Sequence, residues 1–328
     1  MGYSAQVMQR ARARLASAKA DRESENRQHL DEAYTRVPRL REIDRQLRLT
    51  MAMAAQAVFS SGGDVNEGLE EAKRQNQALQ REREALVKMY FEEGYLDDSP
   101  LCDRCGGSGY VGASMCECLA ELCRQEQKKE LTVLSAGKEN FGQFKLDYYP
   151  DRYDPNLGAS PRMIMERNFK VCRNFALQFS LNSENLLFNG GTGLGKTFLS
   201  ACIARVVADR GYSVVYESAG HLFSDLERAK FSGDEQARID AKKYTDCDLL
   251  IIDDLGTEMP GQFTTAALYS LVNDRLLAGK PMVISTNLNV MEELPKRYSP
   301  QIVSRLQGHF RLIPFVGEDI RVKKNWGM

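Results

Sequence analysis

The chain has 328 residues, 43% apolar and 27% charged, an ordinary balance for folded domains in water and enough length for two or three of them. Its formal net charge of −1 excludes a protein that coats nucleic acid by bulk charge, although a basic groove on one face stays compatible with it. Met1 to Arg14 has no apolar core of the signal-peptide kind, and no run approaches the ~20 apolar residues of a membrane helix. The expected location is cytoplasmic, with no membrane partner.

Residues 1–98 read as an all-α domain. An Arg-rich helix is predicted from about Ser4 to Thr35, and Pro38 stands near the start of the next. From Leu40 the apolar positions Ile43, Leu47, Met51 and Ala54 recur at helical spacing, until Ser60-Ser61-Gly62-Gly63 breaks the run. Asp64 and Glu67 have the spacing of an N-cap and its N3 partner. Val65, Leu69, Ala72, Asn76, Leu79, Arg83, Leu86 and Tyr90 then alternate in steps of four and three, as on a coiled-coil seam. Asn76 and Arg83 interrupt that seam and should keep it short. Two readings fit: an antiparallel hairpin packed on itself, or an arm that docks on another helical protein. Gly94 to Pro100 reads as a hinge.

Five of the eight cysteines crowd between Cys102 and Cys123. Cys102-x2-Cys105 and Cys116-x-Cys118 form two close pairs around a Gly-rich turn, a pattern of thiolates that suits tetrahedral Zn2+ in a small module over residues 99–135. Cys123 is a spare ligand in place of Cys116 or Cys118. A redox pair, or buried free thiols, are the alternatives. Cys172, Cys202 and Cys247 sit singly in apolar stretches and read as core. Residues 136–162, rich in Tyr, Asp, Gly and Pro, read as an irregular linker. From 163 to 328 helices and strands alternate, which implies an α/β domain with a parallel sheet flanked by helices.

That last domain carries the chemistry. The apolar strand Asn185 to Asn189 runs into Gly190-Gly191-Thr192-Gly193-Leu194-Gly195-Lys196-Thr197, a full GxxxxGK[ST] phosphate loop. Its glycines let backbone N–H groups curl around a triphosphate, Lys196 can reach the β- and γ-phosphates, and the Thr197 hydroxyl can ligate Mg2+. The stripe Leu199, Cys202, Ile203, Val206 and Val207 opens the helix whose N-terminus must face the phosphates. Leu249 to Asp254 is a buried strand ending in two carboxylates. Asp253 would hold Mg2+, directly or through water, and Asp254 would orient the attacking water of ATP hydrolysis. A third apolar strand, Pro281 to Thr286, ends at the polar Asn287, which by itself could simply cap the following turn.

The blocks Ile252-Asp253-Asp254-Leu255-Gly256-Thr257-Glu258, Asn273-Asp274-Arg275-Leu276 and Ser285-Thr286-Asn287-Leu288 are similar to those of the DnaC/DnaI/IstB family of AAA+ proteins. So is the ending, from Ser304-Arg305-Leu306 to Gly317-Glu318-Asp319-Ile320-Arg321. The resemblance implies a P-loop AAA+ ATPase domain in which Asn287 is sensor 1 and Arg321 the sensor 2 arginine. It also implies that Arg305 is an arginine finger reaching a neighbouring subunit's ATP, hence a homo-oligomer when ATP is bound. Either arginine could instead serve a surface ion pair. Zinc modules of this kind precede the ATPase domain in DnaI-like loaders. The implied function is loading of the replicative DNA helicase onto single-stranded DNA, bound without base specificity. Phe231 and Phe263 fall where the family places DNA-contacting rings, unless they are simply core. Arg228 and Lys230 stand nearby as phosphate contacts or as a solvated face. Asp254, where many AAA+ proteins have Glu, implies slow, switch-like hydrolysis. The alternative implied by the same motifs is an IstB-like ATPase helper of a DNA transposase.

Overall fold

The structure is a computed structural model that describes residues 3–59, 65–131 and 139–325. It forms two compact units, Arg14–Cys116 and Met1–Ala13 with Glu117–Met328. Among the described residues no helix is long and apolar enough to cross a membrane.

The helical unit is built from most of α1 (Ala5–Arg36), with α2 (Pro38–Phe59) and α3 (Val65–Tyr90). The glycine break at 60–63 and the Asp64 cap lie outside the described residues, as do the side chains of Met51, Ala54, Val65, Glu67, Leu69 and Ala72. The two residues that interrupt the seam have partners across it. Arg83 Nε donates to Asp44 at 2.8 Å, Asn76 pairs with Thr50, and Arg39 grips Glu82 through two bonds of 2.7 and 2.9 Å. Late residues of one helix meet early residues of the other, so α2 and α3 run antiparallel as a hairpin. Ala33, Val37 and Leu40 form its apolar base with Leu86, Val87 and Phe91. The stretch expected to be a hinge is pinned instead. Arg22 holds Ser99 O and Asp97, and His29 contacts Tyr95 O at 3.0 Å. A small hairpin of β1 (Tyr110–Val111) and β2 (Ser114–Met115) follows.

The second unit starts with α4 (Glu117–Leu131) and continues through α5 (Pro161–Gln178), β3 (Asn185–Asn189), α6 (Lys196–Asp209), β4 (Val214–Ser218) and α7 (Ala219–Phe231). Then come α8 (Glu235–Ala241), α9 (Lys243–Asp246), β5 (Leu249–Leu255), α10 (Gln262–Leu277), β6 (Met282–Thr286), α11 (Leu294–Arg297), α12 (Pro300–His309), β7 (Phe310–Pro314) and α13 (Ile320–Asn325). The five long strands pair in the order β4-β5-β6-β3-β7, all parallel. The inner strands β3, β5 and β6 are almost wholly buried, which is why they read as unbroken apolar runs rather than alternating ones. This is the expected α/β architecture, a parallel sheet flanked by helices with the phosphate loop after its strand β3. The first strand of the domain, β3, lies between β6 and β7, so the chain crosses from β3 to β4, returns through β5 and β6, and then passes β3 to reach β7 on its other side. A crevice at the C-terminal ends of the strands follows from that switch.

Packing joins α4, the connector and the start of α1 to the strands of the second unit. Gln127 of α4 is buried, donates to Tyr212 O at 2.9 Å and accepts from Val214 N–H at 3.0 Å, at the root of β4. The start of α1 joins the same unit, with Cys123 Sγ 3.5 Å from Met8 Sδ and Arg10 3.7 Å from Glu126. The connector is also embedded, with Tyr149 only 1% exposed. Ser160 caps α5 by accepting from Met163 N–H at 3.2 Å, with Pro161 in the first turn.

Candidate nucleotide-binding site

The C-terminal ends of β3, β5 and β6 are neighbours, so the phosphate loop, the acidic pair and Asn287 must lie side by side. They do. Lys196, buried at the start of α6, donates to Gly190 O and Gly191 O at 2.6 Å and to Asn287 Oδ1 at 2.5 Å. Asn287 and Asp254 line the same wall of the cleft, and the Asn287 amide favours the ionised form of that acid. Asp253 is 5% exposed, and its two oxygens accept from Tyr216 OH at 2.6 Å and Ser285 Oγ at 2.5 Å. Two hydroxyls from the flanking strands thus fix how that carboxylate faces the loop. Ser285 Oγ in turn accepts from Asp254 N–H at 2.9 Å.

Asp254 has φ of 55°, and among the described residues it is the one non-glycine in the left-handed region. The β5–β6 register shifts between Ile252 and Leu255, so the acid is turned out of the ladder. Such a conformation costs free energy and persists where surrounding bonds over-determine it. Burial raises the Asp254 carboxyl above the usual carboxylate range, the charge of Asp253 adds to the rise, and Lys196, Arg321 and Asn287 oppose it. Burial lowers the Lys196 ammonium against the pull of the two aspartates.

The loop needs its glycines for two visible reasons. At Gly193 an added Cβ would stand 1.8 Å from Asp319 Oδ1. Gly195 caps α6 at φ of 91°, and an added Cβ there would meet Tyr149 OH at 3.0 Å. Thr197 is exposed in the first turn of α6. Ile320 N–H donates to Gly193 O at 3.0 Å, and Arg321 N–H donates to Asp319 Oδ1 at 2.8 Å. Arg321 therefore lines the same cleft as the loop, within one chain. The cleft has a volume of about 300 Å³, and Thr192 to Phe198, Asp254, Asn287 and Arg321 form one wall.

The other wall comes from the stretch expected to be a linker. Glu139, Phe144, Lys145, Tyr148 and Tyr149 line the cleft, and Tyr149 OH donates to Leu194 O at 2.9 Å. Phe144 stacks on Phe169 at 5.2 Å and on Tyr149 at 5.8 Å. Stacked rings beside a phosphate loop suit a flat base. No periodicity marks this stretch, and its aromatic and Pro content was its one signal.

Arg305 is outside the cleft. It sits on α12, donates to Tyr269 OH of α10 at 2.8 Å and stacks on that ring at 4.8 Å, while its buried Nε has no partner. Phe231 and Phe263 come together at 5.4 Å, with Lys230 Nζ 5.7 and 5.6 Å from the two ring centres. Phe231 is 65% exposed and Phe263 half-buried, so neither is plain core. Arg228 is engaged with Asp225 at 3.1 Å.

Within the stretch from 102 to 118, the sulfurs of Cys102, Cys105, Cys116 and Cys118 all lie within 4.8 Å of one another, and none is in a disulfide. Tetrahedral Zn–S bonds of ~2.3 Å place sulfurs about 3.8 Å apart. Cys102 and Cys116 are 3.8 Å apart, so the donor set fits a closed four-thiolate site. Gly109 N–H donates to Cys105 Sγ at 3.3 Å, the kind of bond that supports a thiolate ligand. Cys123 stands apart, fully buried, with its thiol pushed up to about 11 by burial.

Residues 162–325 match the family described as IstB-like ATP binding protein. The ATP-binding protein of insertion sequence IS232 from Bacillus thuringiensis subsp. berliner is 28% identical over 155 residues, which is 46% of this chain and 61% of the relative. An insertion-sequence ATP-binding protein of Mycobacterium tuberculosis is 30% identical over 112 residues, 34% of this chain and 44% of the relative. The chain thus spans less than two thirds of either relative's length. The crystal structure of the DnaC helicase loader superposes with a TM-score of 0.43 at 19% identity, over 54% of this chain and 98% of that one. A phosphate loop, an acidic pair and a polar strand end gathered in one cleft agree with the family match: the chain belongs to the IstB-like ATP-binding protein family.

Proposed function

We propose that this chain is an ATP-hydrolysing switch that acts as a homo-oligomer and loads the replicative DNA helicase onto single-stranded DNA. The observation that carries the ATPase part is the bond from buried Lys196 of the phosphate loop to Asn287, with Asp254 lining the same cleft. Gly190 to Thr197 cradle the phosphates, and Thr197 and Asp253 would hold Mg2+, which would supply neutralisation of the phosphate charge. Asp254 accepts the proton of the water that attacks the γ-phosphorus as the bond to the β–γ bridging oxygen breaks. Arg321 meets the phosphates from its own chain. Arg305, on α12 and away from its own cleft, serves the cleft of the neighbouring subunit. The short Asp254 side chain keeps turnover slow, as suits a switch.

The loader reading draws on the helical unit and the cysteine module, both ahead of the family match at 162–325. The four cysteines hold one structural Zn2+, and exposed Leu49 and Met89 of the hairpin offer apolar anchors for a helical partner. The Phe231–Lys230–Phe263 patch stacks on bases and meets phosphates without reading sequence. A second reading, an ATPase helper of a DNA transposase, is favoured by the insertion-sequence relatives. Light scattering of the full chain with the host's replicative helicase, with and without ATP, separates the two. A stoichiometric complex that Met89→Glu weakens supports the loader; no complex with the helicase, and one with a transposase, overturns it. Elemental analysis should find one zinc per chain, lost in the Cys102→Ser, Cys105→Ser double variant.

A further inference from the structure

The acidic strand is followed by a turn, Asp254 to Glu258, whose last residue does not line the nucleotide cleft. The Glu258 side chain is nevertheless only 4% exposed. Its Oε2 accepts from Gly256 N–H at 2.9 Å, inside the turn. Its Oε1 accepts from Tyr298 OH, and the Arg297 guanidinium lies 3.9 Å from the same oxygen while donating to Glu258 O. Thr257 closes the turn on Asp254 O with its N–H at 3.2 Å and its hydroxyl at 2.9 Å.

One buried carboxylate therefore touches two segments. The first holds Asp254 in its left-handed conformation. The second, Arg297–Tyr298, leads through the Ser299 cap directly into α12, which carries Arg305. A buried carboxylate with two good acceptor bonds and a nearby cation is costly to disturb, so the two segments are constrained to move together. Among the described residues Arg297 and Arg305 each keep a buried Nε with no partner. Both guanidiniums are thus incompletely satisfied, one just before α12 and one on it.

We infer that Glu258 is a positioning residue that couples Asp254 in the cleft to Arg305 on α12 of the same chain. The inference rests on the ATPase reading, with Arg305 acting in the neighbouring subunit. ATP that sets Asp254 in one subunit sets that subunit's Arg305, and with it the next site. Hydrolysis is then cooperative in ATP, and the cooperativity passes through Glu258 and Tyr298.

The test uses the full-length wild type, Glu258→Gln and Tyr298→Phe. Glu258→Gln keeps the volume but puts an amide N–H2 against either Gly256 N–H or Tyr298 OH; Tyr298→Phe removes only the second tie. Affinity for a fluorescent ATP analogue is measured beside steady-state hydrolysis over a range of ATP. The expected result is nucleotide affinity within about twofold of wild type, kcat about tenfold lower, and a Hill coefficient reduced to about one in both variants. Combining the two substitutions should do no more than Glu258→Gln alone. A wild type that hydrolyses ATP, with variants that keep its kcat and Hill coefficient, overturns this inference and leaves the ATPase reading intact. Variants that lose affinity and kcat in equal measure also overturn it, since that marks a merely structural residue. A wild type that binds ATP without hydrolysing it removes the parent reading and this one together.

Discussion

Two buried cations in the same unit show how position separates structure from function. Arg275 of α10 is fully buried and donates to Tyr244 O at 2.9 Å, Cys247 O at 3.1 Å and Pro281 O at 2.8 Å. Lys196 is 4% exposed and also held by main-chain carbonyls, those of Gly190 and Gly191. Arg275 ties the end of α9 to the start of β6 and is wholly enclosed there. Lys196 lines a cleft, and the oxygens around it are ones that phosphate oxygens can replace. The first cation is spent on the fold. The second is held ready for a ligand of opposite charge, with the Asp254 and Asp253 carboxylates close enough to oppose its depressed pKa.

The largest effect should come from Lys196→Ala, which removes the phosphate contact and cuts hydrolysis by about 10²–10³-fold or more while leaving the melting temperature near wild type. Steady-state ATPase and a thermal melt of the same sample check both halves. Arg275→Met should do the reverse. Stranding those carbonyls costs roughly 3 kcal/mol or more, a fall in Tm of roughly 6–12 °C, with ATP affinity unchanged below the transition. If the two variants lost stability equally, the contrast between them would fail.

A pH profile sharpens the same contrast. Because the folded Asp254 retains its proton to higher pH than an ordinary aspartate, kcat/KM should rise with pH through that elevated pKa, and its acid limb should lie above the usual carboxylate range. Asn287→Ala removes a polar neighbour that favours the ionised acid, so the limb should move further up and kcat should fall. A limb that stays put would detach Asn287 from Asp254. The smallest effect belongs to a third, exposed cation. Lys230→Ala should leave stability untouched, weaken single-stranded DNA binding slightly, and reduce the salt slope of that binding by about 0.7. Fluorescence anisotropy across a salt series reads it.

Sequence showed most clearly what is contiguous. Gly190 to Thr197 is one loop between one strand and one helix, so its geometry is set locally. Asp253, Asp254 and Asn287 were legible because each ends an apolar strand, and parallel strands bring such ends to one edge. What stayed hidden depends on contacts between distant segments. Tyr216 and Ser285 orient Asp253 only because β4 and β6 happen to flank β5. Glu258 stood in view as a motif letter, but its partners lie on α11 and just beyond it. Asn76 and Arg83 were legible as breaks in a seam, whereas Thr50 and Asp44, which satisfy them, were not. The 139–149 stretch read as a linker because an irregular chain that packs on a loop leaves no period behind.

In the proposed oligomer, Asp254 of one subunit and Arg305 of another complete each ATP site. Asp254→Asn and Arg305→Ala should each hydrolyse ATP near background. Mixed, they should regain activity, because an Arg305→Ala subunit keeps Asp254 and can borrow Arg305 from an Asp254→Asn neighbour. A mixture that stays at background, with both variants still binding ATP and still assembling, would contradict the shared site.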